Sequence, residues 1–286
     1  MDVKIFAENL TFPEGSRWKD DRLICSDVFS HQVISFNEDG NKEVVASIEG
    51  LPVGLGWNKN GDLLINSLME KKVLKSDSSG ISTYADIGKV EDNFINDMTT
   101  DSLGRAYVGT VSLTSFDENE HIGPTNIPTF GSIMLVDVDG SIRRVADRMT
   151  FTNGMVISPD GKTLIAAETF AYRLSMFDIE DDGSLSNRRI FADLGAPTDG
   201  ITMDIKGRVW VALPYYKFGG PGGWVRVEEG GEISAKIDSS THGAFDCVLG
   251  GKNMDQLFLL EAAILGQERI PGDGRIRVTN VDCPGF

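Results

Sequence analysis

The sequence predicts a six-bladed β-propeller, on three observations. A motif of a few polar residues, a strand, a tight polar turn and a second strand occurs six times in 286 residues. That is one copy per roughly 48 residues, the size of a four-stranded blade. No stretch sustains the apolar period of an amphipathic helix. The chain begins with a lone strand and its last copy lacks an outer one, so the two ends complete a single sheet. Such closure leaves fewer free strand edges. A sandwich or barrel would need no sixfold motif, and residues 1–286 are read as one propeller domain.

Along the chain, "DVKIFAENL" (2–10) is the lone strand. The first copy is "FPEGSRWKDDRLICSDV" from 12, followed by a third strand in "QVISFNEDG". The second is "LPVGLGWNKNGDLLINSL" from 51, and the third "FINDMTTDSLGRAYVGT" from 94. After it, "VSLTSFDENEHIGPTNIPTF" (111–130) is too long for a hairpin turn and suits a lid, with Phe116, His121 and Phe130 shaping a pocket. In the fourth copy the spacing predicts strands over Met155–Ser158 and Thr163–Ala167 around the turn "SPDGK". That reading leaves Asn153-Gly154 just ahead of its strand. The fifth copy is "PTDGITMDIKGRVWVAL" from 197, and "PYYKFGGPGGW" (214–224) forms a second rim with Tyr215 as the contact. The sixth, "GAFDCVLGGKNMDQLFLLEA" from 243, has strands near 245–249, 257–261 and 275–281.

Composition narrows the partners. With 43 acidic and 27 basic residues the net charge is −16. Nucleic acids and anionic membranes need cationic surface, so neither is expected. No apolar run is long enough to span a membrane. The N-terminus lacks a basic flank and apolar core of the secretory type. Cys25, Cys247 and Cys283 have no metal-type spacing, which suits reduced thiols and a cytoplasmic protein. The sequence leaves the oligomeric state open.

Aligning the copies on their turns puts Glu14, Val53, Asn96, Asn153, Asp199 and, with a one-residue shift, Asp246 at the head of each innermost strand. In a propeller these positions crowd around the axis. Glu14, Asn96, Asn153 and Asp199 offer oxygen alone, the donor set of a hard divalent cation. Ca²⁺ is the first expectation, with Mg²⁺, Mn²⁺ or Zn²⁺ as alternatives. Val53 cannot ligate. Gly15, Gly154 and Gly200 would let the backbones approach closely.

These motifs resemble the regucalcin, gluconolactonase and luciferin-regenerating-enzyme family of six-bladed propellers. The carriers are "FPEG" (12–15), "NDMTTDSLGRAYVGT" (96–110), "TNGMVISPDGKTLIAAETFAYRLSMFDI" (152–179), "PTDGITMDIKGRVWVA" (197–212) and "CVLGG" (247–251). The resemblance implies a divalent metal held by Glu14, Asn153 and Asp199, with Asn96 touching metal or substrate. It implies lactone hydrolysis, while related calcium-dependent propellers also hydrolyse phosphoesters. Phe94 stands where sugar-lactone members typically carry Arg, which points to a less polar lactone or ester as substrate. Asp246 stands where the family usually has a small residue and adds a negative charge near the substrate. Asp199 is the expected general base, Glu14 the anionic ligand. Direct attack by a carboxylate is the alternative. His242 is a further candidate substrate contact near the metal face. Cys247 is expected to pack within a strand, and Glu168 to lie just outside the ligands or on the rim. The rival readings are a phosphotriesterase-like hydrolase at the same site, a condensing propeller without this metal set, and a non-enzymatic binding module.

Overall fold

The computed structural model describes residues 1–112, 130–216, 221–239, 241–263 and 271–286. Six antiparallel four-stranded sheets form the ring. Blade 1 is β2 (Pro13–Lys19), β3 (Arg22–Asp27), β4 (Gln32–Phe36) and β5 (Lys42–Ser47). Blade 2 is β6 (Pro52–Trp57), β7 (Leu63–Ser67), β8 (Lys72–Asp77) and β9 (Gly80–Asp86). Blade 3 is β10 (Phe94–Thr100), β11 (Ala106–Val111), β12 (Gly131–Val136) and β13 (Ile142–Met149). Blade 4 is β14 (Thr152–Ile157), β15 (Thr163–Glu168), β16 (Arg173–Ile179) and β17 (Leu185–Asp193). Blade 5 is β18 (Ile201–Met203), β19 (Val209–Leu213), β20 (Gly223–Val227) and β21 (Ile233–Asp238). Blade 6 is β22 (Gly243–Gly250), β23 (Gln256–Ala262) and β24 (Gly274–Asn280), completed by β1 (Lys4–Leu10). Ring order follows chain order, because each innermost strand packs on those of the adjacent blades.

The closure expected from the sequence is present. β1 pairs antiparallel with β24, from Lys4 opposite Val278 to Leu10 opposite Gly274. Phe6 stands edge-on to Phe258 at 4.9 Å and to Phe36 at 6.0 Å, so the added strand is bonded to blade 6 and packed on blade 1.

Apolar residues alternate with polar ones along the strands, and the apolar faces meet between blades. Each of the six junctions has its own buried cluster. Cys25, Ile34, Val248 and Phe258 join blades 6 and 1. Trp210, Trp224, Cys247 and Leu257 join blades 5 and 6, which puts Cys247 within a strand as expected. Clusters of the same kind join the other four pairs. Among the described residues one further cluster lies at no single junction. It groups Phe12, Val28, Leu51, Val53, Leu68 and Phe245 at one end of the axis.

The second strands of blades 4 and 6 contain fully buried carboxylates, Glu168 and Glu261. Glu168 accepts from Ser175 Oγ, the Thr150 amide, Arg173 Nε at 2.9 Å and Arg188 Nη2 at 2.7 Å. Burial raises its pKa, but these donors outweigh burial and hold the carboxyl below the ordinary carboxylate range. Glu168 therefore ties the strands of its own blade together and lies away from the axis.

The closing strand should contribute stability through its inward face alone. Leu10 is fully buried and Ile5 is 48% exposed. Leu10→Ala should cost about 2–5 kcal/mol, and Ile5→Ala should stay within about 0.5 kcal/mol of wild type. Urea unfolding midpoints of the two variants measure the difference.

Candidate metal and substrate site

Each innermost strand except β18 has an irregular register near its leading end. The shift falls between Glu14 and Arg17, Pro52 and Leu55, Ile95 and Met98, Thr152 and Met155, and Ala244 and Asp246. A bulge of this kind re-aims a side chain that would otherwise face a neighbouring strand. Asn153 therefore belongs to β14 rather than preceding it. The strand starts three residues earlier than its apolar pattern indicates, because the bulged residues are polar and small.

Equivalent positions at the heads of the innermost strands hold Glu14, Val53, Asn96, Asn153, Asp199 and Phe245. All six line one cavity of about 780 Å³, counting the space at its open mouth. The register corrects the sixth blade. The Gly200 amide donates to the Phe245 carbonyl, so Phe245 pairs with the Asp199 level. Asp246 falls one step deeper, level with Gly15, Gly54, Asp97, Gly154 and Gly200. It does not line the cavity. Its Oδ2 accepts from the Ser16 amide at 2.5 Å and its Oδ1 from the Cys247 amide at 2.7 Å.

Glycine at the deeper level follows from crowding. A Cβ on Gly54 would lie 2.2 Å from Met98 N, and one on Gly200 would lie 1.9 Å from Asp246 Oδ1. No side chain fits there without moving backbone or a buried carboxylate.

Hydrogen bonds orient the two carboxamides. Asn96 Nδ2 donates to the Thr152 carbonyl at 3.2 Å, and Asn153 Nδ2 donates to Thr169 Oγ1 at 3.2 Å. Asn66 Nδ2 holds the Asn96 carbonyl at 2.6 Å. Each amide thus commits one N–H to a neighbour, and Asn153 also donates to the Asp199 carboxylate. Asp199 Oδ1 is buried without a hydrogen-bond partner among the described residues. A buried carboxylate oxygen left unpaired is costly.

The electrostatics point the same way. Burial, then Asp97 and Asp246, push Glu14 from its ordinary 4.5 up to about 8. Burial, then Glu14, Asp246 and Asp97, hold Asp199 well above the carboxylate range. Burial and then Asp97 raise Asp246 to about 6, against the pull of Ser16 and Arg17. These acids repel one another, and among the described residues the cavity lining contains no Lys, Arg or His. Among the described residues no three His, Cys, Asp or Glu side chains cluster as a ligand set. The converging set is two carboxylates and two carboxamide oxygens instead. Their hardness, the unpaired Asp199 oxygen and the uncompensated negative charge all fit a divalent cation.

The remaining wall is apolar. The carbonyls of Phe12, Leu51 and Phe151 accept from the amides of Val28, Leu68 and Thr169. Those bonds bring the turns after the second strands of blades 1, 2 and 4 over the cavity. Phe29 and Phe170 come with two of these turns. Phe12 packs on Phe29 at 5.4 Å and on Phe245 at 4.5 Å, and Phe151 on Phe170 at 5.2 Å. The lining is thus divided. Blades 3, 4 and 5 supply Asn96, Asn153 and Asp199. Glu14 of blade 1 faces them, between Val53 of blade 2 and Phe245 of blade 6.

Other predicted contacts separate. Tyr215 lines the cavity, and burial, Tyr172 and Asp199 raise its hydroxyl pKa. Phe94 packs beside the apolar wall without lining the cavity, with Lys71 Nζ 5.1 Å from its ring centre. His242 is not at the cavity. Its Nε2 lies 3.2 Å from Asp273 Oδ2 and its Nδ1 2.7 Å from Thr241 Oγ1. Phe130 is 54% exposed beneath Arg148 and outside the lining. Phe116 and His121 fall outside the described residues. Sequence reasoning missed Phe12, Phe151, Asp97 and Arg17. The first two had a signal, since Phe12, Leu51, Phe94, Phe151 and Pro197 all stand two residues before the aligned polar position.

In the metal-free chain the raised Glu14 pKa makes stability depend on pH. Above pH 4.5 the unfolded chain releases a proton that the folded chain retains until about pH 8. This contribution is therefore complete below pH 4.5 and is lost as pH rises through about 8. Chelator-treated protein should lose Tm between pH 5 and pH 8, and Glu14→Gln should flatten that slope. Thermal unfolding at several pH values is the measurement.

Residues 12–263 match the family model for the SMP-30/gluconolactonase/LRE-like region. Regucalcin of Gallus gallus is 25% identical over 256 residues, 86% of this chain and 80% of that protein. A luciferin-regenerating enzyme superposes with a TM-score of 0.81 at 19% identity, covering 100% of this chain and 97% of that one. A gluconolactonase of Xanthomonas campestris superposes with a TM-score of 0.75 at 20% identity, covering 98% and 89%. No helix among the described residues is long and apolar enough to cross a membrane. The bulged polar ring, the closing strand and the family match over most of the length agree: the chain belongs to the SMP-30/gluconolactonase/LRE-like family.

Proposed function

We propose that this protein is a divalent-metal-dependent hydrolase of small, uncharged, relatively apolar lactones or related esters. The observation that carries the reading is the divided cavity, in which four oxygen donors meet an aromatic wall and the described residues of the lining include no cationic side chain. A sugar lactone would leave its hydroxyls unpaired against that wall. Family membership and a gluconolactonase of the same fold support the hydrolytic class.

Glu14, Asn153 and Asp199 would hold the cation, with Asn96 as a fourth ligand or a contact to the substrate. Ca²⁺ suits the all-oxygen set best, and Mg²⁺, Mn²⁺ or Zn²⁺ are alternatives. When bound, the cation supplies Lewis-acid polarisation of the carbonyl and lowers the pKa of water. Asp199 takes the proton from the attacking water, for which its unpaired Oδ1 is suited. Tyr215, which lines the same cavity, would donate to the departing alkoxide oxygen. The aromatic side excludes bulk water, which strengthens every charge interaction within the cavity.

Three measurements test this. Glu14→Gln should weaken calcium or manganese binding by roughly tenfold or more, because an anionic ligand is lost; unchanged affinity overturns the ligand assignment. Asp199→Asn should lower kcat by about 10²–10⁴-fold even at saturating metal, since a general base contributes that much. Full recovery with metal would make Asp199 a ligand only. Aromatic or alkyl lactones should exceed aldonolactones in kcat/KM. Turnover of phosphotriesters alone would favour the phosphotriesterase-like reading, and metal binding without turnover the binding module.

A further inference from the structure

Beneath the ligand ring lies a second tier of charge. Asp97 and Asp246 occupy the level that is glycine in the other four blades, and they belong to blades 3 and 6, on opposite sides of the ring. Both are buried, Asp97 at 7% exposure and Asp246 at 2%. Ser16 lies beside them, its amide bonded to Asp246 and its hydroxyl buried without a partner among the described residues.

One cation reaches this tier. Arg17 leaves blade 1 two residues beyond Gly15. Its Nη1 donates to the Ser16 carbonyl at 2.6 Å. Its Nη2 donates to the Met98 carbonyl and lies 3.5 Å from Asp97 Oδ1. Blades 1 and 3 are not neighbours, so the side chain passes blade 2, where Gly54 and Gly56 carry no side chains. The arginine's head is fixed by two carbonyls and a carboxylate. Its charge therefore acts from a set position beneath Glu14 and Asp199.

We propose that Arg17 is the built-in counter-cation of the channel: it compensates the lower tier and sets how strongly the ring above attracts a divalent ion. Among the described residues, four acids and one arginine leave a formal excess of three negative charges at the axis. Removing the arginine makes that excess four, and removing Asp97 alone makes it two. The affinity of the upper ring should follow this sum, because charges at such separations interact strongly when desolvated. Arg17 is a positioning and tuning residue that touches no substrate. The inference rests on the metal reading of the upper ring.

The test is calcium titration by calorimetry on chelator-stripped full-length chain, with circular dichroism confirming the fold of each variant. Arg17→Met should bind calcium about tenfold tighter, and Asp97→Asn about tenfold weaker. The double variant Arg17→Met/Asp97→Asn restores the charge sum and should return within about threefold of wild type. Arg17→Lys should match wild type. A purely structural Arg17 would change Tm in these variants and leave calcium affinity alone, and that result overturns the proposal. If Arg17→Met does not fold, Asp97→Asn decides, and unchanged affinity there overturns it equally. A wild-type chain that binds no calcium, magnesium or manganese overturns the metal reading and this inference together. Calcium binding that is indifferent to residues 17 and 97 overturns this one alone.

Discussion

Six innermost strands converge on one axis, and the room left between them decides what each can carry. At the deeper level a Cβ would meet a neighbouring backbone or a buried carboxylate within about 2–3 Å at Gly15, Gly54, Gly154 and Gly200. Glycine there is a packing requirement. It also lets the residues above, Glu14, Asn153 and Asp199, line one cavity. Where two blades carry Asp at that level, the chain supplies amide donors and an arginine to satisfy the carboxylates.

The same convergence makes chemistry out of a repeat. Sixfold symmetry would place one residue type around the axis, but this ring is broken into a polar arc and an apolar arc. Val53 and Phe245 flank Glu14, so the carboxylate with the pKa of about 8 is the one set among hydrocarbon. Asp199 stands across the ring from Val53, with an unpaired oxygen. A ligand that carries a polar reacting centre and an apolar body matches that division, the first against the polar arc and the second against Phe12, Phe29 and Phe245.

Much of this was legible in the sequence, for a physical reason. A blade is a local unit, so its turns, alternation and polar head recur at readable spacing; Glu14, Asn96, Asn153 and Asp199 could be aligned before any coordinates. The features that were not legible depend on contacts between blades. A bulge adds a residue without changing composition, which is why Asn153 seemed to precede its strand. Blade 6 has no glycine after its polar head, and alignment on Asp246 passed over Phe245, the true occupant of the ring. The partner of Arg17 lies 80 positions further along the chain, which no local pattern reveals. His242 was expected near the metal face and instead is paired with Asp273 outside the cavity lining.

The raised pKa values and the apolar wall have one cause with two consequences. Excluding water raises the cost of each buried negative charge, so the metal-free site holds protons that exposed carboxylates would release. A divalent cation bound as proposed would remove that cost and displace those protons, so its affinity would rise with pH across the range in which Glu14 and Asp246 titrate. The exclusion of water that makes the free site proton-hungry would also strengthen the attraction between that cation and its ligands. Cation binding, proton release and stability would thus be linked through the same four acids. A substrate that sealed the mouth with an apolar body would remove still more water and tighten the hold on the cation beneath it.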